Sequence, residues 1–494
     1  MKKNLLGKVL ALSVSILGLL FFIFSLVSSY IEIDENKITT FEITGWLMLS
    51  LLIAPLVAYL TTKYLSKKVY IILLVGIAFL LRIGWAYWIK TPIISDFHVL
   101  YSAAIDIANG DYGFMEGSYF QKWTYQVGFS FYESIVIFIF GESPRALKFL
   151  NILYSVGTVV VVYLTATKLF NELSGRIAGL IFALYIPSIL MSSVLTNQHL
   201  STFFYFLALY FVINSGFSKK YRWITIGLLI GLGNIIRPLG SIVLLAILVY
   251  VVIVFLLKGN KEIYLTYAKK LIGIIAVYLV VQKLVSMMMM GIGITDETLK
   301  NKDSLYKFVV GFNHETEGKY SNEDREYLDQ FSLWDERNEK AKELIQERIS
   351  DKGEVLELWN HKFTYLWGDK DSSIHWSLND LSPPQELVDS LYKIERVMYM
   401  LTLTFCIIGF SYILFWGHKL NSGYPLILIF LLGYAAAHIL IEVQTRYRFD
   451  IMPAMMILQG YGIYLVTTKI STLFRHKTNT KTVVQEESGI HRLS

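Results

Sequence analysis

Cysteine, proline and charge are all scarce in this chain. Of 494 residues, one is cysteine (Cys406) and 9 are proline. A single cysteine excludes a disulfide within the chain, so any part outside a membrane must fold without one. Charged residues make up 17% of the sequence, where soluble domains carry about 25%. The formal net charge of +6 does not imply nucleic acid as a partner, because the basic residues gather in short loops between apolar runs. No repeat of fixed short period is visible.

Hydrophobic residues fill 54% of the chain. Runs of roughly 20 apolar residues recur, each long enough to cross a hydrocarbon core about 30 Å thick. Spans are predicted at 5–29, 43–63, 69–89, 146–168, 177–193, 198–215, 222–236, 238–257, 268–289, 397–416, 423–441 and 450–468. The fold class is an all-α polytopic membrane protein with about twelve transmembrane helices. Met1-Lys2-Lys3 ahead of a long apolar stretch reads as a retained signal anchor.

Positive residues set the sidedness. Lys2, Lys3 and Lys8 place the N-terminus in the cytoplasm, and Lys63, Lys67 and Lys68 mark the next cytoplasmic turn. The acidic stretch Glu32, Asp34, Glu35 then lies outside, as does Asp96. If 126–141 does not span, Lys168, Arg176, Lys219, Lys220, Arg222, Lys258, Lys261, Lys269, Lys270 and the tail from Lys469 are all cytoplasmic. If it spans, all of them fall outside. The stretch is short, and Glu133 within it is costly at depth. It is expected to lie on or dip into the outer leaflet. Two external segments result, 90–145 and 290–396. In the second, Ser321 and Asp324 resemble a capping box, and Ala341, Leu344, Ile345 and Ile349 recur at helical spacing. Val355 to Trp367 reads as another amphipathic helix, and Ser382-Pro383-Pro384 breaks the chain before the next span.

Two polar segments are expected to meet outside the membrane and form one active site. Asp96, in Ile94-Ser95-Asp96-Phe97-His98, leads from an apolar run into an aromatic loop with Tyr101, Tyr112, Tyr119, Trp123 and Tyr125. Glu442-Val443-Gln444-Thr445-Arg446-Tyr447-Arg448 packs one acid and two bases between apolar runs. Plainer readings stand beside these. Asp96 can cap the helix that follows, Glu442 and Arg446 can pair, and Arg237 can snorkel. Arg82 and Lys283, charges within spans, are functional hints or partners of neighbouring helices. Met287 to Met290 reads as flexible packing. Glu315 and Glu317 lie in a loop that could contact an acceptor. His98, His199 and His438 show no ligand spacing for a dedicated metal site.

Ser95-Asp96-Phe97-His98 with Tyr101, Lys168-Leu169-Phe170 with Gly175-Arg176, Tyr185-Ile186-Pro187, Ile236-Arg237-Pro238, and Glu442 to Arg448 followed by Pro453 occur in a fixed order. Together they resemble the GT-C membrane glycosyltransferases, specifically the family 39-like branch of protein mannosyltransferases and the lipid A aminoarabinose transferase. The resemblance covers roughly 69–468. It implies a GT-C helical bundle with a surface-lying helix in the first large external loop and a helical external subdomain. The implied organisation is a two-helix N-terminal addition (1–68), a core membrane module (69–289) with external loop 90–145, a lid subdomain (290–396), C-terminal spans (397–468) and a cytoplasmic tail (469–494). Many members carry an acid where this chain has Asn197 and Gln198 in Thr196-Asn197-Gln198-His199, which puts a metal there in doubt. No cofactor is assigned, and a divalent metal is left open.

Glycosyl transfer from a lipid-phosphate donor needs a base for the acceptor hydroxyl, cations for the departing phosphate and an apolar groove for the lipid. Asp96 matches the family's external acid and is expected as the base. Arg446, Arg448, Arg237 and Lys283 are expected at the donor phosphate, where guanidinium forks fit oxygens well. Glu442, Tyr101, Arg82, Tyr447, His98 and Gln198 are expected in support. The implied partners are a polyprenyl-phosphate sugar, an extracytoplasmic glycan, lipid or protein acceptor, and membrane lipid. The family branch and the Lys- and Ile-rich composition suggest a bacterial plasma membrane. The rival readings are a lipid or solute transporter or flippase, and a non-catalytic subunit of a polysaccharide assembly complex.

Overall fold

A computed structural model describes residues 2–216, 219–258, 261–416 and 423–469. The expected cytoplasmic tail from 470 onward lies outside the described residues. Every regular element among the described residues is helical. The longer ones are α1 (Lys2–Ile31), α2 (Thr40–Tyr64), α3 (Lys67–Trp88), α4 (Ser95–Asn109), α5 (Val127–Phe140), α6 (Pro144–Leu169), α7 (Glu172–Leu184), α8 (Gln198–Phe211), α9 (Arg222–Ile236), α10 (Gly240–Lys258), α11 (Lys261–Gly291), α12 (Asp335–Arg348), α13 (Lys352–Gly368), α14 (Gln385–Trp416), α15 (Tyr424–Leu440) and α16 (452–469).

Each predicted span falls on a helix, but the helices are not equal. Among the described residues, six are long and apolar enough to cross a membrane: α1, α2, α3, α6, α11 and α14. A seventh span results if Glu172–Leu184 and Ile186–Ser193, bent by 55° against each other, count as one. The 14 residues of α8 rise only about 21 Å at 1.5 Å per residue, short of the hydrocarbon thickness. The expected count of about twelve therefore holds for helix positions, while length and composition support six or seven spans. The segment 126–141 forms the separate helix α5, which packs on α4. Its Glu133 is fully buried.

The bundle is held by apolar side chains and by close backbone approach. α6 packs on α7, α9 on α11, and α1 on α14, α10 and α13. The two N-terminal helices are thus packed into the bundle. Gly227 and Gly231 of α9 face Val277 and Val281 of α11, and a Cβ on Gly227 would lie 2.8 Å from the Ile274 carbonyl oxygen. Small residues let helices approach in this way in membranes.

The segment between α11 and α14 is helical, as expected. Ser321 accepts from the Asp324 amide at 3.0 Å, but the Asp324 carboxylate turns to Arg348 and Asn313. Only half of the expected capping box forms, because the half-buried Arg348 fork competes for the acid. Ala341, with Leu344 and Ile345 beside it, packs against Tyr306, Val310 and Leu328.

Arg82 is placed by the bend after α7. Pro187 lacks an amide proton, so the carbonyls before it lose helical partners. Arg82 is fully buried and donates to Phe182 O at 3.3 Å and Ala183 O at 3.0 Å, and to Ser155 and Ser188 hydroxyls at 2.8 and 2.9 Å. It closes a broken helix and does not reach Asp96. Arg82→Met is expected to lower the Tm in detergent, since each buried acceptor left unpaired costs about 1–3 kcal/mol. An unchanged Tm would remove this role.

Candidate active site

Asp96 lies in the first turn of α4, where the helix dipole favours an anion. The turn begins on Ser95, held at φ +55°, a left-handed conformation that non-glycine residues rarely adopt. The N-cap is Ile94, and no side chain caps the helix. Asp96 is therefore not the cap. It is solvent-accessible and makes no hydrogen bond or ion pair among the described residues. Its carboxyl is held above the ordinary 3.8, chiefly by desolvation; Glu442 adds to the rise, and Arg446 and Lys307 oppose it.

The C-terminal motif arrives as predicted, after α15 ends. Residues 441–444 are extended, and Thr445–Asp450 forms a short 3-10 helix. Arg446 is buried, with its guanidinium 4.2 Å from the Trp376 ring centroid and 5.1 Å from that of Phe97, the residue after Asp96. Such stacking suits guanidinium. Its Nε has no partner. Tyr447 is the platform of the cluster: Arg237, Lys307 and Arg446 lie 5.5, 5.5 and 6.0 Å from its ring centroid. Gln198 donates to the Arg446 carbonyl at 3.4 Å. Tyr119 and Tyr125 border the same space, their hydroxyls pushed up chiefly by burial and further by the charge on Asp96.

Glu442 pairs with Lys307, at 3.5 Å, and not with Arg446. Arg237 is held by Asp450 through Nε at 3.0 Å and a terminal nitrogen at 2.9 Å. Asn197, standing where the family pattern often has an acid, is 3.4 Å from the same guanidinium. Among the described residues, no group of three or more His, Cys, Asp or Glu is arranged to hold a metal ion.

Besides Arg82, four predicted residues are not joined to the cluster by any contact among the described residues. Arg448 is fully buried on the opposite side of the motif, 3.6 Å from Asp371 and 3.9 Å from Glu395, with Tyr399 beneath it. With three residues per turn in the 3-10 segment, its direction differs from that of Arg446 by about 120°. Lys283 is exposed on α11 and is not among the charges that act on Asp96. Tyr101 donates to the Glu142 carbonyl, away from the cluster. His98 is exposed, with no partner shown.

Lys307, Asp450, Trp376 and Lys362 were not anticipated. Lys307 sits in the apolar Tyr306–Gly311 helix, which carries no motif. It reaches the site because two backbone bonds stitch its segment to the motif: Glu442 N to Lys307 O and Val443 N to Gly318 O, both 2.9 Å. Lys362 locks the junction, donating to Gly311 O, Ile439 O and Ile441 O at 2.7, 2.7 and 2.9 Å. A Cβ on Gly311 would lie 2.5 Å from the Leu440 carbonyl oxygen, so glycine is needed for this approach. Lys362→Met leaves three carbonyls unpaired, at about 1–3 kcal/mol each. Faster proteolysis within 290–384 in the folded protein is the expected result, and unchanged cleavage would show that the lysine does not hold the junction.

Residues 127–286 match the family model of dolichyl-phosphate-mannose-protein mannosyltransferase. The resemblance to GT-C membrane glycosyltransferases is thereby supported. Gln198 and Arg237 fall within the matched residues, while Asp96 and Glu442 to Arg448 lie outside them. No curated protein matches the chain. Three solved structures of the oligosaccharyltransferase from Archaeoglobus fulgidus are similar at 13% identity. The apo form has a TM-score of 0.44 over 85% of this chain and 52% of its own. The form tethered to an acceptor peptide with the NVT sequon has 0.33, over 81% and 56%. The complex with an inhibitory peptide and a dolichol-phosphate has 0.34, over 81% and 56%. This chain spans about half the length of those structures, and likeness at these values carries no argument about chemistry.

Proposed function

We propose that this multi-pass membrane protein transfers a sugar from a polyprenyl-phosphate-linked donor to an acceptor hydroxyl on the extracytoplasmic side. One observation carries the reading: a buried guanidinium with no ion pair or side-chain hydrogen bond stands near a carboxylate that is equally unbonded. Five of the six buried arginines among the described residues have an acid or a backbone carbonyl: Arg82, Arg176, Arg337, Arg396 and Arg448. Arg446 has neither. A buried charge left uncompensated is costly, so an anionic ligand is the natural complement. The matched family is named for a lipid-phosphate-linked mannose, which supplies the donor class.

Asp96 takes the proton from the acceptor O–H. The oxygen attacks the anomeric carbon, and the bond to the phosphate oxygen breaks with its electron pair. The leaving lipid phosphate is received by Arg446, with Lys307 and Arg237 alongside, where fixed cations stabilise charge as it develops. Attack opposite the leaving group inverts the anomeric centre. The distribution of lysine and arginine puts both termini in the cytoplasm and this cluster outside. Apolar faces of the helices would hold the lipid.

Purified protein in vesicles, supplied with labelled polyprenyl-phosphate sugars and envelope acceptors, tests the reading by mass analysis of products. Asp96→Asn is expected to lower transfer by about 10²–10⁴-fold, the usual worth of a positioned base, with donor binding retained. Wild-type rates from Asp96→Asn would sink its role. Arg446→Ala is expected to weaken the donor and slow the transfer step together. Asp96 works as the carboxylate. Because its pKa is raised above 3.8, kcat/KM should fall with decreasing pH through a midpoint above 3.8. A midpoint at or below that value would contradict the assignment.

A further inference from the structure

A second recess lies beside the cluster, behind Trp376. It is a cavity of about 580 Å³, within the roughly 300–1,000 Å³ of small-ligand sites. The short Ser373–Leu378 helix forms the shared wall. His375 lines the cavity, and the next residue, Trp376, stacks on Arg446. Thr445, immediately before Arg446, lines it too.

The lining mixes donors, acceptors and apolar faces. Asp369, Asn379 and Asp380 bring polar groups, while Tyr365 and Leu378 bring apolar surface. The ionic charges of the lining nearly cancel, with Lys37 and Lys370 against Asp369, Asp371 and Asp380, and two of the five are paired. Lys37 is 3.6 Å from Asp34, and Asp371 is 3.6 Å from Arg448. A strongly charged ligand would find no large excess of opposite sign, and a purely apolar one would strand the carboxylates without hydrogen bonds. Ser372, in the lining, has a buried hydroxyl with no partner among the described residues. At the rim, Asp380 and Ser382 are held at φ +59° and +43°. Non-glycine residues held in this way gather at ligand clamps. Hydroxyl groups, which both donate and accept, satisfy such a lining.

We infer that this cavity binds a neutral, polyhydroxylated ligand: the carbohydrate part of the acceptor, held next to the Asp96 and Arg446 cluster. The ligand's role rests on the transfer reading above; its binding does not.

The test uses the full chain in detergent, with a mixture of neutral hexose oligosaccharides as probe and saturation-transfer NMR as readout. Wild type and Asp96→Asn should both bind. Asn379→Trp, which fills the cavity, should abolish the signal. Asp380→Asn, which removes a carboxylate while keeping a residue tolerant of the left-handed region, should weaken it. In the transfer assay, Asn379→Trp should raise the acceptor KM by about tenfold or more, with kcat at saturating acceptor and donor KM unchanged, the mark of lost ground-state binding. The proposal is overturned by equal binding in wild type and both variants, by no oligosaccharide binding in wild type, or by a signal that only charged peptides displace. If wild type transfers no sugar but loses oligosaccharide binding on Asn379→Trp, the cavity stands and the transfer reading falls.

Discussion

A helix that ends inside an apolar bundle leaves carbonyls that no water reaches, and this fold closes such ends with cations. Arg176 takes Thr61 O and Leu65 O after α2. Arg82 takes the end of α7. Arg222 takes Asn214 O beyond α8. Arg396 takes Gly368 O and Asp369 O after α13. Lys362 joins the ends of α15 and of the Tyr306–Gly311 helix. The arrangement suits the negative end of the helix dipole, and it allows short and bent helices in a setting where broken backbone is costly. These five cations serve architecture.

The site is defined against that background. Arg446 is neither capped onto a helix end nor ion-paired; aromatic rings hold it, and Asp96 and Glu442 act on its charge without bonding to it. Lys307 and Arg237 have acids, Glu442 and Asp450, so three positive groups meet at Tyr447 with two of their counter-charges already present. Asp96 supplies the third negative charge without an ion pair to Arg446, so the Arg446 guanidinium keeps its N–H groups for a ligand such as a phosphate. Asp96 reaches the same space by a different route, on a helix whose first turn is strained at Ser95 and whose carboxylate is left free. A base must be unengaged to take a proton, and strain of this kind is stored where function requires a fixed geometry.

Much of the architecture was legible because its signal is local. Apolar runs placed the helices, and Ser382-Pro383-Pro384 marked a break ahead of α14, although the span was expected only from 397 and the helix begins at Gln385. Span length was less legible, since composition does not reveal where α8 widens into the π turn Val212–Gly216 or where α7 bends. The meeting of Asp96 with Glu442 to Arg448 followed from order and sidedness. The fate of individual charges did not. Arg82 and Arg446 look alike in sequence, as charges near apolar runs, and only the position of Pro187 relative to Arg82 separates a carbonyl cap from an open cation. Lys307 gave no signal, because it reaches the site through backbone pairing with Glu442, a contact set by tertiary structure and carrying no side-chain code.

Arg446 and Arg448 illustrate why the motif has two bases. They flank Tyr447 on a tight segment and point to opposite sides. One stands open toward Asp96; the other is buried against Asp371 and Glu395. Asp371 also lines the cavity behind Trp376, so the segment that presents Arg446 is anchored, through Arg448, on a wall of that cavity. Arg448 has no hydrogen bond from its guanidinium nitrogens among the described residues, and its two acids lie at the long end of ion-pair distances. The donor cluster and the cavity therefore share one element, the six residues from Thr445 to Asp450, with Arg446 at the cluster and Thr445 at the cavity wall.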